Sequence, residues 1–158
     1  MPILHSQIVA QAKAPGGKVV QVPPPAALQM RGPVLQVTVT IEQNAAKALL
    51  AQGKTVPTKV GWALIDTGAS NTCVDEQAAN ELGLPIIDVG NMQSASHEKH
   101  PCNIYPVQIV TQVVTLNSAR TMGANLSPQG LLILIGRDVL AVCNLFYNGP
   151  SGQFTLSL

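Results

Sequence analysis

From Val34 onward, the chain consists of short stretches with the residue pattern of β-strands, separated by turn-forming residues. The clearest stretch runs from Leu35 to Glu42, where apolar and polar residues alternate strictly. Because successive side chains of a strand point to opposite faces, this alternation predicts a half-buried strand. Further strands are predicted at 60–65, 72–74, 86–89, 103–110, 113–116 and 131–135, and a C-terminal hairpin of 144–147 and 154–158 around Asn148-Gly149.

Helical patterns are confined to three short segments: 44–52, 76–82 with Asp75 as its cap, and one or two turns from Gly136 to about Cys143. So few helices beside so many short strands predict an all-β domain with one or two short helices.

The first 33 residues differ from the rest in composition. They contain Gly16-Gly17, Pro23-Pro24-Pro25 and Gly32-Pro33 and show no sustained periodicity. Segments rich in proline and glycine are typical of linkers rather than of packed domains. The sequence therefore predicts a flexible Pro/Gly-rich arm at residues 1–33 and one folded domain at residues 34–158.

The composition argues against several classes of partner. Charged residues make up only 11% of the chain and the formal net charge is +1, so we expect no nucleic-acid partner. The longest wholly apolar run, Leu131 to Ile135, is far too short to span a bilayer, so we expect no membrane association. The N-terminus lacks the pattern of a secretory signal, and Cys73, Cys102 and Cys143 fit reduced thiols better than a disulfide framework. These features predict a cytoplasmic protein, and a surface so poor in charge favours coverage by another subunit.

Asp66 stands in an unusual place for a carboxylate, at the end of an apolar strand and at the start of the tight turn Asp66-Thr67-Gly68-Ala69-Ser70. A carboxylate among buried neighbours needs hydrogen-bond partners or a changed protonation equilibrium. Gly68 lets the backbone come close to another chain or to a ligand. Asp-Thr-Gly alone is a weak motif, and by itself it fits a structural turn aspartate at least as well as a catalytic one.

A second motif further along the chain, Leu134-Ile135-Gly136-Arg137-Asp138-Val139-Leu140, changes that balance. Together with the two apolar residues before Asp66-Thr67-Gly68-Ala69, it resembles the retropepsin (retroviral-type) aspartic peptidase family. That family has a later apolar-apolar-Gly-Arg-Asp/Asn-aliphatic segment leading into a helix. The resemblance covers about residues 34–158, and the two motifs in this order favour a catalytic Asp66.

The resemblance implies a closed, acid-protease-like β-barrel that assembles as a C2 homodimer and hydrolyses polypeptides, with no metal and no cofactor. Asp66 of each subunit would be the catalytic carboxylate. Gly68 and Ala69 would bind the substrate backbone, and Ser94, Ala95 and Ser96 would face the substrate from a flap hairpin. Structural support of the site would come from four residues: Thr67, Gly136, Arg137 and Asp138.

Three features depart from the family pattern. Retroviral members usually carry Asp after Ala69, where it pairs with the arginine, but here Ser70 leaves the partner of Arg137 open. Retroviral chains end in a single strand after the helix, whereas a hairpin is predicted here. The dimer sheet should therefore be built differently, and we expect the apolar face of 154–158 to pair with a second copy. Finally, the expected flap tip at 98–101 contains no glycine.

Two other functions remain open. One is a catalytically inactive peptide-binding or dimerisation module on the same fold, which would not need an ionisable Asp66. The other is a zinc hydrolase that uses His97, His100 and Cys102. Their spacing matches no standard zinc motif, so a solvated hairpin tip is favoured there and we expect no metal site.

Overall fold

The structure is a computed structural model that describes residues 2–93 and 99–158. The strands in these ranges are β1 (Ile3–Gln7), β2 (Ala10–Lys13), β3 (Val19–Val22), β4 (Val34–Ile41), β5 (Thr58–Ile65), β6 (Cys73–Asp75), β7 (Asp88–Gln93), β8 (Lys99–Val110), β9 (Thr115–Ala124), β10 (Ile133–Ile135), β11 (Asn144–Asn148) and β12 (Gln153–Ser157). The helices are α1 (Pro24–Arg31), α2 (Gln43–Ala51), α3 (Glu76–Glu81) and α4 (Arg137–Leu140), with 3₁₀ turns at Ser127–Gln129 and Gly149–Ser151.

Six strands close into a barrel in the order β4-β5-β10-β6-β9-β8, because β8 also pairs with β4. β7 continues the sheet beyond β8 as an antiparallel neighbour. The prediction of an all-β fold with a closed barrel is confirmed, but the described residues contain four short α-helices rather than the one or two expected. The core inside is mainly aliphatic, as the scarcity of aromatic residues requires, and includes Val37, Val39, Ile65, Val74, Ile109, Ile133 and Ile135.

The sequence pattern predicts side-chain burial correctly along β4 but not along β5. In β4, Val37 and Val39 are buried and Gln36 is exposed, as predicted. The apolar stretch at 60–65 indicates a buried strand, but in β5 Val60 is 61% exposed and Trp62 is 40% exposed. The buried positions of β5 are Ala63 and Ile65, near its end. Here the strand lies between β4 and β10 and leads into Asp66.

The predicted strand at 113–116 starts two residues later in the structure and continues to Ala124 as β9, although its middle is polar. β9 pairs with β8 from Thr115 to Met122, with one register shift, and only its end, from Met122 to Ala124, also pairs with β6. The pairing with β8 satisfies backbone groups along the polar middle whatever its side chains are. Strand pairing in the closed barrel, rather than local hydrophobicity, therefore sets the length of this element.

Residues 2–33 contain β1, β2, β3 and α1, where the sequence predicted an aperiodic, flexible arm. β1 pairs antiparallel with β12, with Leu4 opposite Leu156, and both side chains are buried. α1 follows Pro23 and buries Ala27 and Leu28 completely. Proline is compatible with the first turn of a helix, because the N–H that it lacks has no intrahelical partner there. The proline cluster therefore starts a helix that packs on the core.

The C-terminal segment forms a three-stranded sheet in the order β1-β12-β11. The predicted hairpin exists, but its strands are joined by a 3₁₀ turn and Gly152 at φ 66° rather than by a tight turn at Asn148-Gly149. Phe154 and Leu156 of β12 are 1% and 2% exposed inside their own chain. The expectation that this strand pairs with a second copy is therefore wrong, since both of its edges are occupied.

None of the helices within the described ranges is long and apolar enough to cross a membrane. Cys73, Cys102 and Cys143 are all free thiols, in agreement with the expectation of reduced cysteines.

The packing of α1 leads to a first prediction. Leu28→Ala should destabilise the fold by about 2–5 kcal/mol, because it leaves a cavity at a fully buried position. Met30→Ala is the matched control on the same helix, since Met30 is 73% exposed, and should change the unfolding free energy by less than about 0.5 kcal/mol. Urea unfolding of both variants measures the difference, and equal effects would show that α1 does not contribute to the core.

Candidate active site

Asp66 owes its position to the parallel pairing of β5 with β10. Ile65 lies opposite Ile135 in this pair, so the two strands end at the same level of the barrel. The Asp66 N–H continues the ladder by donating to the Ile135 carbonyl at 2.9 Å. The turn that starts at Asp66 and the segment that starts at Gly136 therefore leave the barrel side by side.

The Asp66 side chain is half-buried and bends back over its own turn. Its Oδ1 accepts a hydrogen bond from the Gly68 N–H at 2.8 Å, and its backbone carbonyl accepts one from Ala69 at 3.3 Å. A Cβ at Gly68 would lie 3.0 Å from Oδ1, so a glycine gives the carboxylate room. Within the described chain Oδ2 has no hydrogen-bond partner, and this oxygen remains available to a ligand.

Gly136 lies directly against the backbone that follows the Asp66 turn. A Cβ at this position would be 2.4 Å from the carbonyl carbon of Asn71 and 2.9 Å from the nitrogen of Thr72. The Gly136 N–H donates to the Thr72 hydroxyl at 3.1 Å. The second motif thus requires glycine for close approach, and not for a left-handed backbone, since its φ is −91°.

Arg137 holds the turn from below. Its Nη1 donates to the carbonyls of Thr67 and Gly68, both at 2.9 Å, and its Nη2 donates to the Ser70 hydroxyl at 2.8 Å. Ser70 is therefore the side-chain partner of Arg137 that the sequence left open. The ion pairs of the described residues do not include Arg137. Within this part of the chain, its guanidinium is stabilised by hydrogen bonds to neutral oxygens.

Asp138 connects α4 to the same turn through Thr72, which is fully buried. Its Oδ2 accepts from the Thr72 N–H at 2.9 Å, and its Oδ1 accepts from the Thr72 hydroxyl at 2.7 Å and from the Val139 N–H at 2.8 Å. Because hydrogen bonds to an ionised acceptor are stronger than neutral ones, this contact gives the turn a rigid base.

A cleft of about 770 Å³ opens above the turn. Its lining consists of Asp66, Gly68, Ala69, Ser70, Asn71, Cys73, Asn91, Met92, Met122, Ala124, Asn125, Leu126, Gln129 and Leu134. Asp66 is the single charged side chain among these described residues, and the others are neutral amides, small residues or flexible apolar ones. Such a lining suits an uncharged, extended ligand better than a phosphate or a metal ion.

The structure separates the predicted site residues into three groups. Asp66, Gly68 and Ala69 line the cleft, whereas Thr67, Gly136, Arg137 and Asp138 do not line it and lie around or beneath the turn. Ser94, Ala95 and Ser96 lie outside the described residues, as do His97 and Glu98. The expected flap tip at 98–101 is wrong for Lys99 to Pro101, which already pair with β7 as part of β8.

The sequence did not reveal the other walls of the cleft. Asn91 and Met92 come from β7, Met122 from β9, and Asn125, Leu126 and Gln129 from the segment between β9 and β10. These segments meet Asp66 only because the barrel closes. Pro128 and Gly130 signal a turn in the last segment, but nothing local indicates that this turn faces Asp66.

Cys73 lines the cleft beside Asp66 but is a poor candidate nucleophile. Burial, followed by the nearby Cys102, Asp138 and Asp66, raises the pKa of its thiol to about 11. The thiol therefore stays protonated near neutral pH, and the thiolate that nucleophilic catalysis needs is scarce. In the described ranges, no group of three or more His, Cys, Asp or Glu side chains is arranged to hold a metal ion.

Comparison with known proteins places these observations in a family context. A family profile described as aspartyl protease matches residues 37–138, a range that contains the Asp66 motif and the second motif as far as Asp138. A solved structure of a retropepsin-like aspartic protease from Rickettsia conorii is similar, with a TM-score of 0.44 and 12% sequence identity over 98% of this chain and 92% of that chain. None of the curated proteins compared with the sequence matches it.

The close approach of Gly136 leads to a second prediction. Gly136→Ala should destabilise the protein by about 3 kcal/mol or more, because the new methyl group would overlap the Asn71 carbonyl. Gly149→Ala is the matched control, since the nearest atom to its Cβ would be 3.8 Å away. Thermal unfolding compares the two variants. A Gly136→Ala protein as stable as the control would contradict the close contact beneath the turn.

Proposed function

Because the chain belongs to the aspartyl protease family, we propose that it is an aspartic endopeptidase in which two copies of the chain each supply Asp66. The family membership confirms the resemblance that the two motifs carried. The observation that most supports the activity is the cleft itself, in which Asp66 is the single charged side chain among the described lining residues.

In the proposed reaction, a water molecule lies between the two Asp66 carboxylates. The ionised carboxylate takes a proton from the water, and the water oxygen attacks the peptide carbonyl carbon. The protonated carboxyl donates its proton to the carbonyl oxygen. The resulting gem-diol collapses as the C–N bond breaks. The leaving nitrogen receives the proton that the first carboxylate took, while the second carboxylate takes back a proton from one hydroxyl of the gem-diol. The products are a carboxylic acid and an amine, and the pair of carboxylates again shares one proton.

The chemistry itself argues for a homodimer. It needs two carboxylates, and one chain brings a single Asp66 to its cleft. A two-fold arrangement supplies the second by symmetry. The Thr67 hydroxyl has no hydrogen-bond partner among the described residues, so it is free to bond to the second copy, as the family resemblance implies.

β11 offers the surface on which a second copy fits best. It is an edge strand of the β1-β12-β11 sheet. Large apolar side chains in it and just before it are exposed: Val142 (71%), Phe146 (63%) and Tyr147 (49%). Edge strands that remain in water usually carry charges or proline against pairing with other chains. Residues 139–158 contain no Asp, Glu, Lys or Arg, and their one proline, Pro150, lies outside β11. α4, which holds the Asp66 turn, leads directly towards this strand.

Polypeptides are the proposed substrates. The amide side chains of Asn71, Asn91, Asn125 and Gln129 can exchange hydrogen bonds with an extended backbone, while the methionines provide an adaptable apolar surface. A cytoplasmic location and the lack of a cofactor stay expectations from the sequence.

The proposed activity is tested with Asp66→Asn. This change keeps the size of the side chain but removes the ionisable group, so peptide cleavage should fall by on the order of a thousandfold or more. Wild-type activity against an unstructured protein should show a bell-shaped pH dependence with an acidic optimum, because two adjacent carboxylates share one proton. Pepstatin-type inhibitors should block it.

Asp88→Asn is the control, since Asp88 is an exposed carboxylate paired with Arg120 away from the cleft. Sedimentation should show the same dimer for both variants. Undiminished cleavage by dimeric Asp66→Asn protein would rule out the proposed mechanism. A peptide that binds equally well to wild type and variant, without being cut by either, would favour the inactive peptide-binding module.

The dimer surface is tested with Phe146→Lys. A lysine on each β11 edge should repel its copy, so the particle should shift from about twice 16.5 kDa towards a single chain at low micromolar concentration, with activity lost in parallel. Leu50→Lys, at a 62% exposed position of α2, should change neither property. Analytical ultracentrifugation measures both, and a fully dimeric, active Phe146→Lys protein would place the interface elsewhere.

A further inference from the structure

Asp75 is a buried carboxylate that the proposed mechanism does not use. It is the last residue of β6 and is 5% exposed. Its Oδ1 accepts from the Ala78 N–H at 3.1 Å and so caps α3. Its Oδ2 accepts three hydrogen bonds from one short segment: from the Leu126 N–H at 3.0 Å, the Ser127 N–H at 2.9 Å and the Ser127 hydroxyl at 2.8 Å.

The segment that Asp75 holds is residues 125–131, which connect β9 to β10. Asn125, Leu126 and Gln129 of this segment form one wall of the Asp66 cleft. The other hydrogen bonds of the segment in the described structure are internal, from the N–H groups of 129, 130 and 131 to the carbonyls of Leu126 and Ser127. The side chains of Leu126 and Leu131 also hold the segment by packing, and the next residue, Leu132, donates to the Trp62 carbonyl at 2.8 Å. Among the described residues, the Asp75 carboxylate is thus the polar anchor of residues 126 and 127 to the barrel.

The anchor is held as a carboxylate by neutral donors. Burial alone would raise the pKa of Asp75, but the hydrogen bonds from the Ser127 hydroxyl and from the N–H groups of Ala78, Leu126 and Ser127 outweigh it and lower the pKa below its ordinary value. Hydrogen bonds to an ionised acceptor are the stronger kind, so three of them on one oxygen fix the segment firmly.

We propose that Asp75 is a positioning residue of the peptidase site, which fixes residues 125–130 as a substrate-binding wall and thereby sets the affinity for the peptide rather than the rate of bond cleavage. The inference rests on the proposed function. Asn125 and Gln129 can bond to a bound peptide at little ordering cost only if their backbone is already in place. Asp66 and the residues beneath its turn make no hydrogen bond to Asp75 within the described residues, so the reacting groups do not depend on it directly.

The experiment uses the full-length dimer and the variant Asp75→Asn. The amide places N–H groups, or at best one neutral oxygen, opposite the donors of Leu126 and Ser127, so the wall should loosen. We expect KM for a peptide substrate to rise about tenfold while kcat stays within about threefold of wild type. Amide hydrogen exchange should accelerate at Leu126 and Ser127 and stay unchanged at Val37 and Val39 in β4.

Ser127→Ala is the milder second variant, in case Asp75→Asn fails to fold. It removes one of the three bonds to Oδ2, and KM should rise about threefold with kcat unchanged. Asp88→Asn controls for loss of a carboxylate elsewhere and should leave KM unchanged. Unaltered KM and exchange in both wall variants, or a kcat that falls as much as KM rises, would overturn the inference while leaving the peptidase assignment intact. A wild-type dimer that cuts no peptide would overturn both.

Discussion

The parallel pairing of β5 with β10 is the contact on which the candidate site depends. It brings together two segments that are far apart in the sequence and makes them end at one level, with Asp66 N–H bonded to the Ile135 carbonyl. Everything beneath the carboxylate follows from this alignment. Gly136 fits against Asn71 and Thr72 only because no side chain stands between the two backbones. The helix that starts at Arg137 can then reach the carbonyls of the turn.

Neutral oxygens surround the cation at the base of the site. Arg137 bonds to two carbonyls and to the Ser70 hydroxyl, where the family pattern usually has a carboxylate. A guanidinium offers five N–H donors in a planar fork, so it can hold several backbone carbonyls at once without an ion pair. At the same base, Thr72 donates its N–H and its hydroxyl to the Asp138 carboxylate. The arginine and the aspartate of one motif thus hold different parts of the turn. Arg137 binds its carbonyls and Ser70, and Asp138 binds Thr72.

The N-terminal segment shows how composition can mislead. Its glycines and prolines indicate a linker, yet β1 completes a sheet with the C-terminal hairpin and α1 buries Ala27 and Leu28. Its buried side chains, among them Leu4 and Leu28, belong to the same apolar core as Phe154 and Leu156 of β12. By occupying the other edge of β12 within the chain, β1 leaves β11 as an open, uncharged edge of this sheet. The surface proposed for a second copy therefore depends on where the first residues of the chain fold.

Local sequence information determined most of the strands from Val34 onward, the alternation of β4, the Asp75 cap of α3 and the two motifs that meet at Asp66. These features depend on side-chain periodicity, capping and turn preferences within about ten residues, which a single sequence displays. Tertiary structure alone decided that β1 and α1 form, which residue is the partner of Arg137, and that β7, β9 and residues 125–130 supply the cleft walls. Those contacts join residues far apart in the chain, and they exist because closing the barrel satisfies the backbone hydrogen bonds of β4 and β8 together, which no local pattern records.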